Sequence, residues 1–342
     1  MAIIDKPSDY FNTKLYTGTG SSNAVTGVGF QPDWIWLKGR SVASDHKVFD
    51  AVRGGPNNLI QPNLTNAQQT TSYFSSINSD GFTVTGSDNS YNASNATYAS
   101  WNWKANGSGS SNTAGSINST VSANTTSGCS IVTVANVGSG NFTFGHGLGV
   151  APSWVLAKSR DGGKWNNYFK SLGAGYTIQL PETGAKIVNN TMWQNTSPTS
   201  SVVYSHGGQL DANESYVFYC FAEKTGFSKF GSYVGNGNAD GTFVYLGFKP
   251  AFLLYKNSTA SATNWQIHDS KRSPSNLSVN RLNPNDTSVE LGTTADSFDF
   301  LSNGFKARAT ASNSNTSGAT FIYMAFAENP FVSSTGVPAT AR

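Results

Sequence analysis

The stretch GFQPDWIWLKGRS, which starts at residue 29, places large apolar side chains on both sides of an extended chain. Successive side chains of a strand point to opposite faces, so Trp34 and Trp36 share one face and their apolar neighbours share the other. The proline stands at the entrance, where a missing N–H costs least. The pattern predicts a central strand buried on both faces, with Lys38 at its exit to solvent.

The same pattern occurs twice more along the chain. The copies are GFQPDWIWLK, GVAPSWVLAK and GFKPAFLLYK, whose prolines are Pro32, Pro152 and Pro250. A turn rich in Gly and Asn between two short runs precedes each copy, which is typical of a β-hairpin. Because all three copies keep the apolar pattern, we interpret the stretch as core rather than as a ligand cleft.

A second signature closes each unit, in NATYASWNWKA, NESYVFYCFAE and SGATFIYMAFAE. Its last aromatic residues, Trp103, Phe221 and Phe326, follow the prolines by 71, 69 and 76 residues. Units one and three also share a turn, SDGFTV or SNGFKA, which unit two lacks. The matched spacings indicate three divergent copies of one module of a common domain size.

These landmarks divide the chain into five predicted regions. Residues 1–105 form the first repeat with an N-terminal arm, 106–128 a Gly/Ser/Asn/Thr linker, 129–226 the second repeat, 227–331 the third, and 332–342 a C-terminal tail. The linker is expected to be flexible, or an extended arm packed on a neighbour. We expect the first repeat to sit apart while the other two pack together, and both tails to become ordered only against partners.

Composition favours strands over helices. Among 342 residues there are 35 glycines, 13% of residues are aromatic, and only 12% are charged. Long periodic runs of helix-forming residues are missing, whereas short strands with polar turns suit this balance. We predict an all-β fold of three tandem antiparallel β-sandwich repeats of the jelly-roll or concanavalin-like type.

The charge, the apolar stretches and the cysteines of the chain indicate which kinds of partner and bond are expected. A formal net charge of +3, with no run of five basic residues, does not indicate nucleic acid. The sequence has no apolar stretch of 18 residues and no signal-peptide core at its N-terminus, so we expect neither membrane contact nor export by a cleaved signal. Cys129 and Cys220 make no metal site alone. A disulfide between them stays open, although unpaired core thiols are favoured.

Candidate catalytic groups are few. A catalytic histidine would pair with an acid, either His46 with Asp50 or His268 with Asp269, but unit two has no histidine at this place. No nucleophile elbow, zinc-protease motif or phosphate-binding loop occurs. A calcium site at the turns SDGF or NADG stays open, although neither has the spaced acids of a calcium loop and a plain turn is favoured. We predict no enzyme activity, no catalytic residue, no cofactor and no metal ligand.

Carbohydrate is the ligand class with some support. Binding pockets combine aromatic rings with a few polar groups, and Tyr91, Trp165 and Tyr168 stand in loops rich in Asn. The alternative is that such rings plug the ends of each sandwich, which is favoured for Trp193 and Trp265. Tyr91, Trp165 and Tyr168 are our candidate contacts to a glycan or a protein partner.

The motifs YTGTGSSNAVTGVGFQPDWIWLKGRS, HKVFDAVRGG, INSDGFTV and SWNWKANG resemble repeat modules encoded by tailed bacteriophages of marine bacteria and cyanobacteria. The resemblance is close over unit one, covers YVGNGNADGTFVYLGFKPAFLLYKNS and LSNGFKA in unit three, and is weakest in unit two. Those modules are described as virion structural or tail-fibre-like proteins with a concanavalin/SPRY-like sandwich. The resemblance implies a virion component and supplies no catalytic residues.

From this resemblance we expect a non-enzymatic virion structural protein, most simply a tail or fibre-type appendage component. Its expected partners are other virion proteins and copies of itself in a homo-oligomer, with a host-surface glycan as a further contact. Such a protein is assembled in the host cytoplasm and released by lysis. Two alternatives stay open, namely a capsid head-decoration protein and a stand-alone carbohydrate-binding module.

Overall fold

The computed structural model describes residues 3–338. Within this range the chain is all-β, its strands pair antiparallel and no α-helix occurs, which confirms the all-β prediction. The helical turns are short 3-10 helices, Pro7–Asp9, Gly207–Gln209 and Thr294–Asp296. No helix between residues 3 and 338 has the length and apolar character needed to cross a membrane.

The first segment, residues 3–105, forms one large and one small sheet. Its strands are β1 (Phe11–Thr17), β2 (Asn23–Thr26), β3 (Trp34–Gly39), β4 (Lys47–Asp50), β5 (Gly55–Ile60), β6 (Gln69–Thr70), β7 (Phe74–Asn78), β8 (Gly81–Val84) and β9 (Thr97–Trp103). The large sheet has the order β1-β9-β3-β4-β5-β6, and the small sheet has the order β2-β8-β7. Buried residues of both sheets, including Ile35, Phe49 and Phe82, form one core.

The second segment, residues 106–226, has one sheet of eight strands and one of two. Its strands are β10 (Ser110–Asn112), β11 (Ser119–Asn124), β12 (Cys129–Val134), β13 (Asn141–Gly145), β14 (Trp154–Ser159), β15 (Trp165–Phe169), β16 (Tyr176–Gln179), β17 (Ile187–Val188), β18 (Val202–His206) and β19 (Tyr216–Phe221). The orders are β10-β11-β12-β19-β14-β15-β16-β17 and β13-β18. The core contains residues of both sheets, such as Phe144 and Phe218.

The third segment, residues 227–331, has a six-stranded and a three-stranded sheet, as the first segment has. Its strands are β20 (Ser228–Val234), β21 (Phe243–Tyr245), β22 (Phe248–Asn257), β23 (Gln266–Asp269), β24 (Asn280–Leu282), β25 (Leu291–Gly292), β26 (Phe298–Leu301), β27 (Gly304–Ala307) and β28 (Thr320–Pro330). The large sheet has the order β20-β28-β22-β23-β24-β25, and the small sheet has the order β21-β27-β26. Its core includes Tyr255, Phe298 and Phe305.

The three aromatic strands occupy the same place in their sheets. Each lies between the closing strand and the next strand of its own segment, as β3 lies between β9 and β4. All six residues of β3 are buried, which confirms the prediction of a central strand covered on both faces. The matched register is Trp34 opposite Trp103, Trp154 opposite Phe221, and Phe252 opposite Phe326.

The second face of each large sheet contributes to one core shared by all three segments. Trp103 lies 6.3 Å from Phe221 and 5.6 Å from Phe326, and the last two rings are 5.9 Å apart, measured between ring centroids. We call this cluster the shared core. It also contains Trp34, Trp36, Trp101, Trp154, Leu156, Phe169, Tyr219, Phe252, Leu254 and Met324.

The shared core changes the predicted arrangement of the segments. The sequence predicted that the first segment sits apart, but its strand β1 carries Phe11, whose ring lies 5.0 Å from Phe326 and 5.5 Å from Phe252. The small sheet of each segment covers the opposite face of the large sheet, so the aromatic residues of this face have no cover within their own segment. They therefore bury one another, since this removes the most apolar area from water.

Residues 106–128, predicted as a linker, contain two strands of the second segment. Strand β11 pairs with β12, and β10 pairs with β11. The carboxylate of Asp33 accepts hydrogen bonds from the backbone N–H groups of Ala105 and Gly107, which anchors the start of this stretch. Further on, Gly115 forms a bridge with Phe144 at the edge of the small sheet. The stretch is short in apolar side chains because its backbone, rather than its side chains, makes the contacts.

Both ends of the described chain contact the body of the protein. Ile4 is buried in the shared core, and its N–H donates to the carbonyl of Thr225. The carboxylate of Asp5 accepts hydrogen bonds from the N–H and hydroxyl of Ser334. Contacts within the chain therefore hold the parts of the predicted tails that lie between residues 3 and 338, whereas residues 1–2 and 339–342 lie outside the described range.

Candidate functional site

The structure places the predicted glycan contacts inside the protein. Tyr91 is 3% exposed, Tyr168 is 1% exposed, and Trp165 has no exposed surface. Tyr168 packs edge-on against Trp193 with ring centroids 6.0 Å apart, and Trp193 is buried as well. A covered ring has no free face on which a sugar could stack, so a glycan hypothesis has to use other aromatic residues.

His46 is held in its neutral form by its neighbours. Its Nδ1 accepts a hydrogen bond from the indole N–H of Trp36 at 2.8 Å, and its Nε2 lies 2.9 Å from the carbonyl oxygen of Asn283. A carbonyl only accepts, so the proton sits on Nε2. Burial lowers the pKa of His46 well below its ordinary value, and the charge of Lys38 acts in the same direction. This histidine is a structural connector between segments.

His268 is also fully buried. Its Nδ1 lies 3.3 Å from the hydroxyl of Ser278, and burial lowers the pKa of the ring well below its ordinary value. The proposed His–acid pairs do not form. His268 and Asp269 are adjacent in β23, so their side chains leave opposite faces of the sheet. His46 lies four residues from Asp50, roughly 13 Å along a strand.

The two acids instead make buried ion pairs with arginines of their own segments, and each also accepts a hydrogen bond from another segment. Asp50 contacts Arg53 at 2.5 Å, and neither side chain is exposed. The hydroxyl of Tyr219, from the second segment, donates to the same carboxylate at 2.6 Å. A buried ion pair is tolerated only when further hydrogen bonds satisfy it, and the tyrosine supplies one from across the junction.

The first and third segments meet through the same arrangement. Asp269 contacts Arg272 at 2.5 Å, and the indole N–H of Trp101 donates to Asp269 at 3.0 Å. Trp101 and Tyr219 are matched residues, since they stand opposite Trp36 and Leu156 at the same step of the register. In the second segment, Phe169 stands opposite Trp154, at the place that Asp50 and Asp269 occupy in the other two segments. A phenylalanine carries no charge, so this position has no ion pair.

A third connection uses ring N–H groups. His46, Trp165 and Trp265 stand at or just before the start of β4, β15 and β23. Each ring nitrogen faces a backbone carbonyl of the neighbouring segment. The pairs are His46 with Asn283, Trp165 with Gln61 and Trp265 with Gln179, at 2.9, 2.9 and 3.0 Å.

The repeated lysines at the ends of the aromatic strands are buried, not exposed as the sequence predicted. Lys38, Lys158 and Lys256 have no exposed surface. Each ammonium donates to oxygens of its own turn and of the next segment. The acceptors across the junctions are the carbonyls of Thr287 and Ser288 for Lys38, of Thr65 for Lys158, and of Thr183 for Lys256.

Burial shifts the titration of these lysines. It lowers the pKa of Lys38 and of Lys158 to about 8, and that of Lys256 to about 7. Desolvation is the main cause because each ammonium loses its hydration shell. The surrounding oxygen atoms replace part of that shell. Each ammonium donates three hydrogen bonds, of which at least one reaches another segment.

The alternation of side chains along each strand could have predicted that these lysines are buried. Lys38 lies two and four residues after Trp36 and Trp34, so its side chain leaves the sheet on the same face as the shared core. From the sequence, we took the charged lysine to mark the point where the strand leaves the core and reaches solvent. A charge repeated at one position of three aromatic strands is better explained by a specific set of acceptors.

The remaining sequence candidates are structural. Asp80 of SDGF accepts hydrogen bonds from the N–H groups of Gly27 and Gly29, which lowers the pKa of its carboxyl. Asp240 of NADG forms an ion pair with Lys306 at 2.5 Å. No group of three or more His, Cys, Asp or Glu side chains placed to hold a metal occurs among residues 3–338.

The cysteines Cys129 and Cys220 are buried and unpaired. Cys129 stands opposite Phe221 and Cys220 opposite Ser130 in the pairing of β12 with β19. The two thiols therefore leave opposite faces of the sheet, one toward the shared core and one toward the core of the second segment. Burial raises the pKa of both thiols, which keeps them in the protonated form.

A groove of about 430 Å³ lies between the second and third segments. Strand β21, the connection between the two segments and both ends of the described chain line it. The lining residues used below are Glu223, Lys224, Thr225, Lys229 and Tyr245. No sequence motif pointed to this groove, because its walls come from several separate stretches of the chain.

Comparison with known proteins gives one family. Residues 6–330 match the family described as a domain of unknown function, DUF7483. No curated protein matches the chain, and no solved structure matches it. The match covers all three segments together, as the shared core requires of a unit that folds as one. The chain therefore belongs to the DUF7483 family.

Proposed function

We propose that the protein is a non-enzymatic structural component of a bacteriophage virion, of the tail or fibre type, built from three copies of one β-sandwich module. Support for three copies comes from the matched strand orders and from the matched register of the three aromatic strands. Support for a virion role comes from the sequence resemblance to tailed-phage repeat proteins. The two lines of support are independent, because the first uses geometry alone.

The shared core is the observation that carries the structural role. The three segments are joined by aromatic packing, by hydrogen bonds to buried carboxylates and by buried lysines. They form one body whose internal orientations cannot change without breaking several contacts at once. Both histidines considered for catalysis are buried; His46 contacts Asn283 of the third segment, and His268 contacts Ser278 within its own segment. A rigid body that keeps its polar loops on the surface suits repeated contact with copies of itself and with other virion proteins.

The experiment is to locate and count the chain in purified particles of the virus that encodes it. Quantitative mass spectrometry gives copies per particle, and antibody labelling in electron micrographs gives position. We expect a small multiple of the tail symmetry and label on the tail. A copy number matching the capsid subunits, with label on the head, would replace the tail role with capsid decoration. Absence from the particles would overturn the virion proposal.

A carbohydrate-binding module is the second candidate, and one observation favours it. The aromatic side chains of Phe243 and Tyr245 are 45% and 53% exposed on the same face of β21. Exposed neighbouring aromatic rings beside a groove mark interaction sites more often than chance. This candidate is compatible with a virion role, since an appendage that contacts a host meets surface sugars.

A further inference from the structure

Strand β21 is an edge strand with an unusual outer face. In the order β21-β27-β26 it has a partner on one side only. Val244 points into the core of the third segment, and Phe243 and Tyr245, one residue to either side, point outward. Side chains two apart on a strand are roughly 6.6 Å apart along its axis, so the two rings form a short aromatic row.

The corresponding strands of the other segments lack this feature. In the first segment, β2 turns Ala24 and Thr26 outward, and neither has a ring. In the second segment, the outer edge of β13 is occupied, because the N–H groups of Ser116 and Ile117 donate to the carbonyl of Thr143. The aromatic row is therefore a property of the third segment alone among the described residues, and the shared architecture does not require it.

The groove beside the row carries an ammonium with no partner. Lys224 is half-buried, and its side chain makes no hydrogen bond or ion pair with any residue between 3 and 338. Lys229 donates one N–H to the carbonyl of Tyr245 at 2.7 Å and keeps the others free. Its ammonium lies 5.5 Å from the centroid of the Tyr245 ring, which holds the ring in place.

The polar groups around these cations complete the site. Thr225 is exposed and offers a hydroxyl, and the carboxylate of Glu223 accepts the N–H of Phe230 at 3.1 Å with one oxygen, leaving acceptor capacity on the other. The groove thus combines an open ring face, two ammonium groups, a hydroxyl and a carboxylate. Pockets of 300–1,000 Å³ with aromatic walls and a few placed polar groups hold small ligands.

We propose that this groove binds an acidic saccharide, with a sugar ring on Tyr245 and the sugar carboxylate at Lys224. The inference rests on the proposed host-surface contact and deepens it by naming the ligand class and the site. A sugar acid offers an apolar C–H face to the ring, hydroxyls to Thr225 and Glu223, and a carboxylate that makes charge-assisted hydrogen bonds with the unpaired ammonium.

The test is calorimetric titration of the full chain with oligogalacturonate, and with cello-oligosaccharides of the same length as the neutral comparison. We expect binding of the acidic oligomer only. Tyr245→Ala removes the ring and Lys224→Met removes the charge while keeping the stem, and each is expected to weaken binding roughly tenfold, as for a central contact residue. Lys224→Met is also expected to reduce the salt dependence of binding.

Matched controls use an exposed tyrosine and an exposed lysine elsewhere, Tyr73→Ala and Lys170→Met, which are expected to bind as the wild type does. Thermal unfolding of all four variants checks the fold. Equal heats with acidic and neutral oligomers, no binding of either, or an equal loss in Tyr73→Ala and Tyr245→Ala would each overturn the proposal. So would a change in oligomeric state caused by Tyr245→Ala without any glycan binding, since the row would then be a subunit contact.

The outcome is separable from that of the proposed function. A chain found on purified particles that binds no oligogalacturonate refutes the groove and leaves the virion role intact. A chain absent from particles that binds oligogalacturonate through Tyr245 refutes the virion role and favours the stand-alone binding module.

Discussion

At the scale of the residue, the protein depends on charged groups placed where water cannot reach them. Lys38, Lys158 and Lys256 each lose hydration and gain oxygen acceptors, and their pKa falls because the first effect is the larger. Asp50 and Asp269 are stabilised by an arginine of their own segment and by a ring donor of another. Segment contacts at these places are therefore specific as well as apolar.

The lysines predict how stability responds to pH. An unfolded lysine titrates near 10.5, above the folded pKa of about 7 for Lys256, so the unfolded chain binds more protons between these values. The free energy of unfolding is then expected to rise as pH increases from 7 to 9.5, by up to about 1.4 kcal/mol per pH unit for such a lysine. Denaturant unfolding at several pH values measures it. Lys256→Met should reduce the slope and Lys170→Met should not; identical slopes in both variants would contradict the assignment.

The ion pair at Asp50 gives a prediction for one hydroxyl. Tyr219→Phe keeps the ring in the shared core but removes the donor to the buried carboxylate. We expect a loss of about 1.5–3 kcal/mol in the free energy of unfolding, as for hydrogen bonds to charged groups. Urea unfolding of the variant measures the loss. Tyr73→Phe, at an exposed tyrosine, is the control, and a loss as small as in that control would show that the bond is not needed.

At the scale of the element, the edges of the small sheets are treated differently in each segment. The stretch around Gly115 covers β13, where its backbone lies against Thr143 and Phe144. Gly115 has φ +101°, and an added Cβ would stand 2.6 Å from the carbonyl oxygen of Thr143. Only glycine allows so close an approach, and an edge left open would expose unpaired backbone groups.

Gly115→Ala is therefore expected to release this covering stretch. The strained backbone and the clash should cost about 1–3 kcal/mol. Amide hydrogen exchange should become faster at Ser116 and Ile117, whose N–H groups donate to Thr143, and along β13. Gly138→Ala is the control, because nothing lies within 4 Å of its added Cβ and its φ is ordinary. If amide exchange is unchanged in Gly115→Ala, contacts other than the close approach of Gly115 to Thr143 keep this stretch on β13.

At the scale of the whole molecule, the shared core makes the three segments interdependent. Trp103, Phe221 and Phe326 contact one another, and each belongs to a different segment. A segment removed from the others would expose one apolar face of its large sheet. Exposing that face would return its aromatic side chains to water and destabilise the isolated segment.

We expect one cooperative unfolding transition for the whole chain. Scanning calorimetry should give a single peak whose van't Hoff and calorimetric enthalpies agree. Phe221→Ala should lower the free energy of unfolding by about 3–5 kcal/mol and shift that one peak without dividing it. Three separate peaks, or a stable isolated fragment of residues 129–226, would show instead that the segments fold independently.

The alternation around Trp34, its repetition at Trp154 and Phe252, and the spacing to Trp103 were enough to predict the all-β class and the buried aromatic strands. Such patterns are local, because a strand has to cover its apolar face whatever its neighbours are. The buried positions of Tyr91 and Trp165 were not predictable in this way, since an aromatic residue in a polar stretch has the same local pattern whether the tertiary structure covers it or not.

The stretches that become strands, and the faces of those strands that are apolar, follow from the order of residues alone. The common core of the three segments, the carbonyls of another segment around each lysine, and the groove that Tyr245 and Lys224 both line depend on how the chain packs in three dimensions. Contacts of this kind join residues far apart in the chain. Their energies depend on distance and desolvation, which no local pattern records.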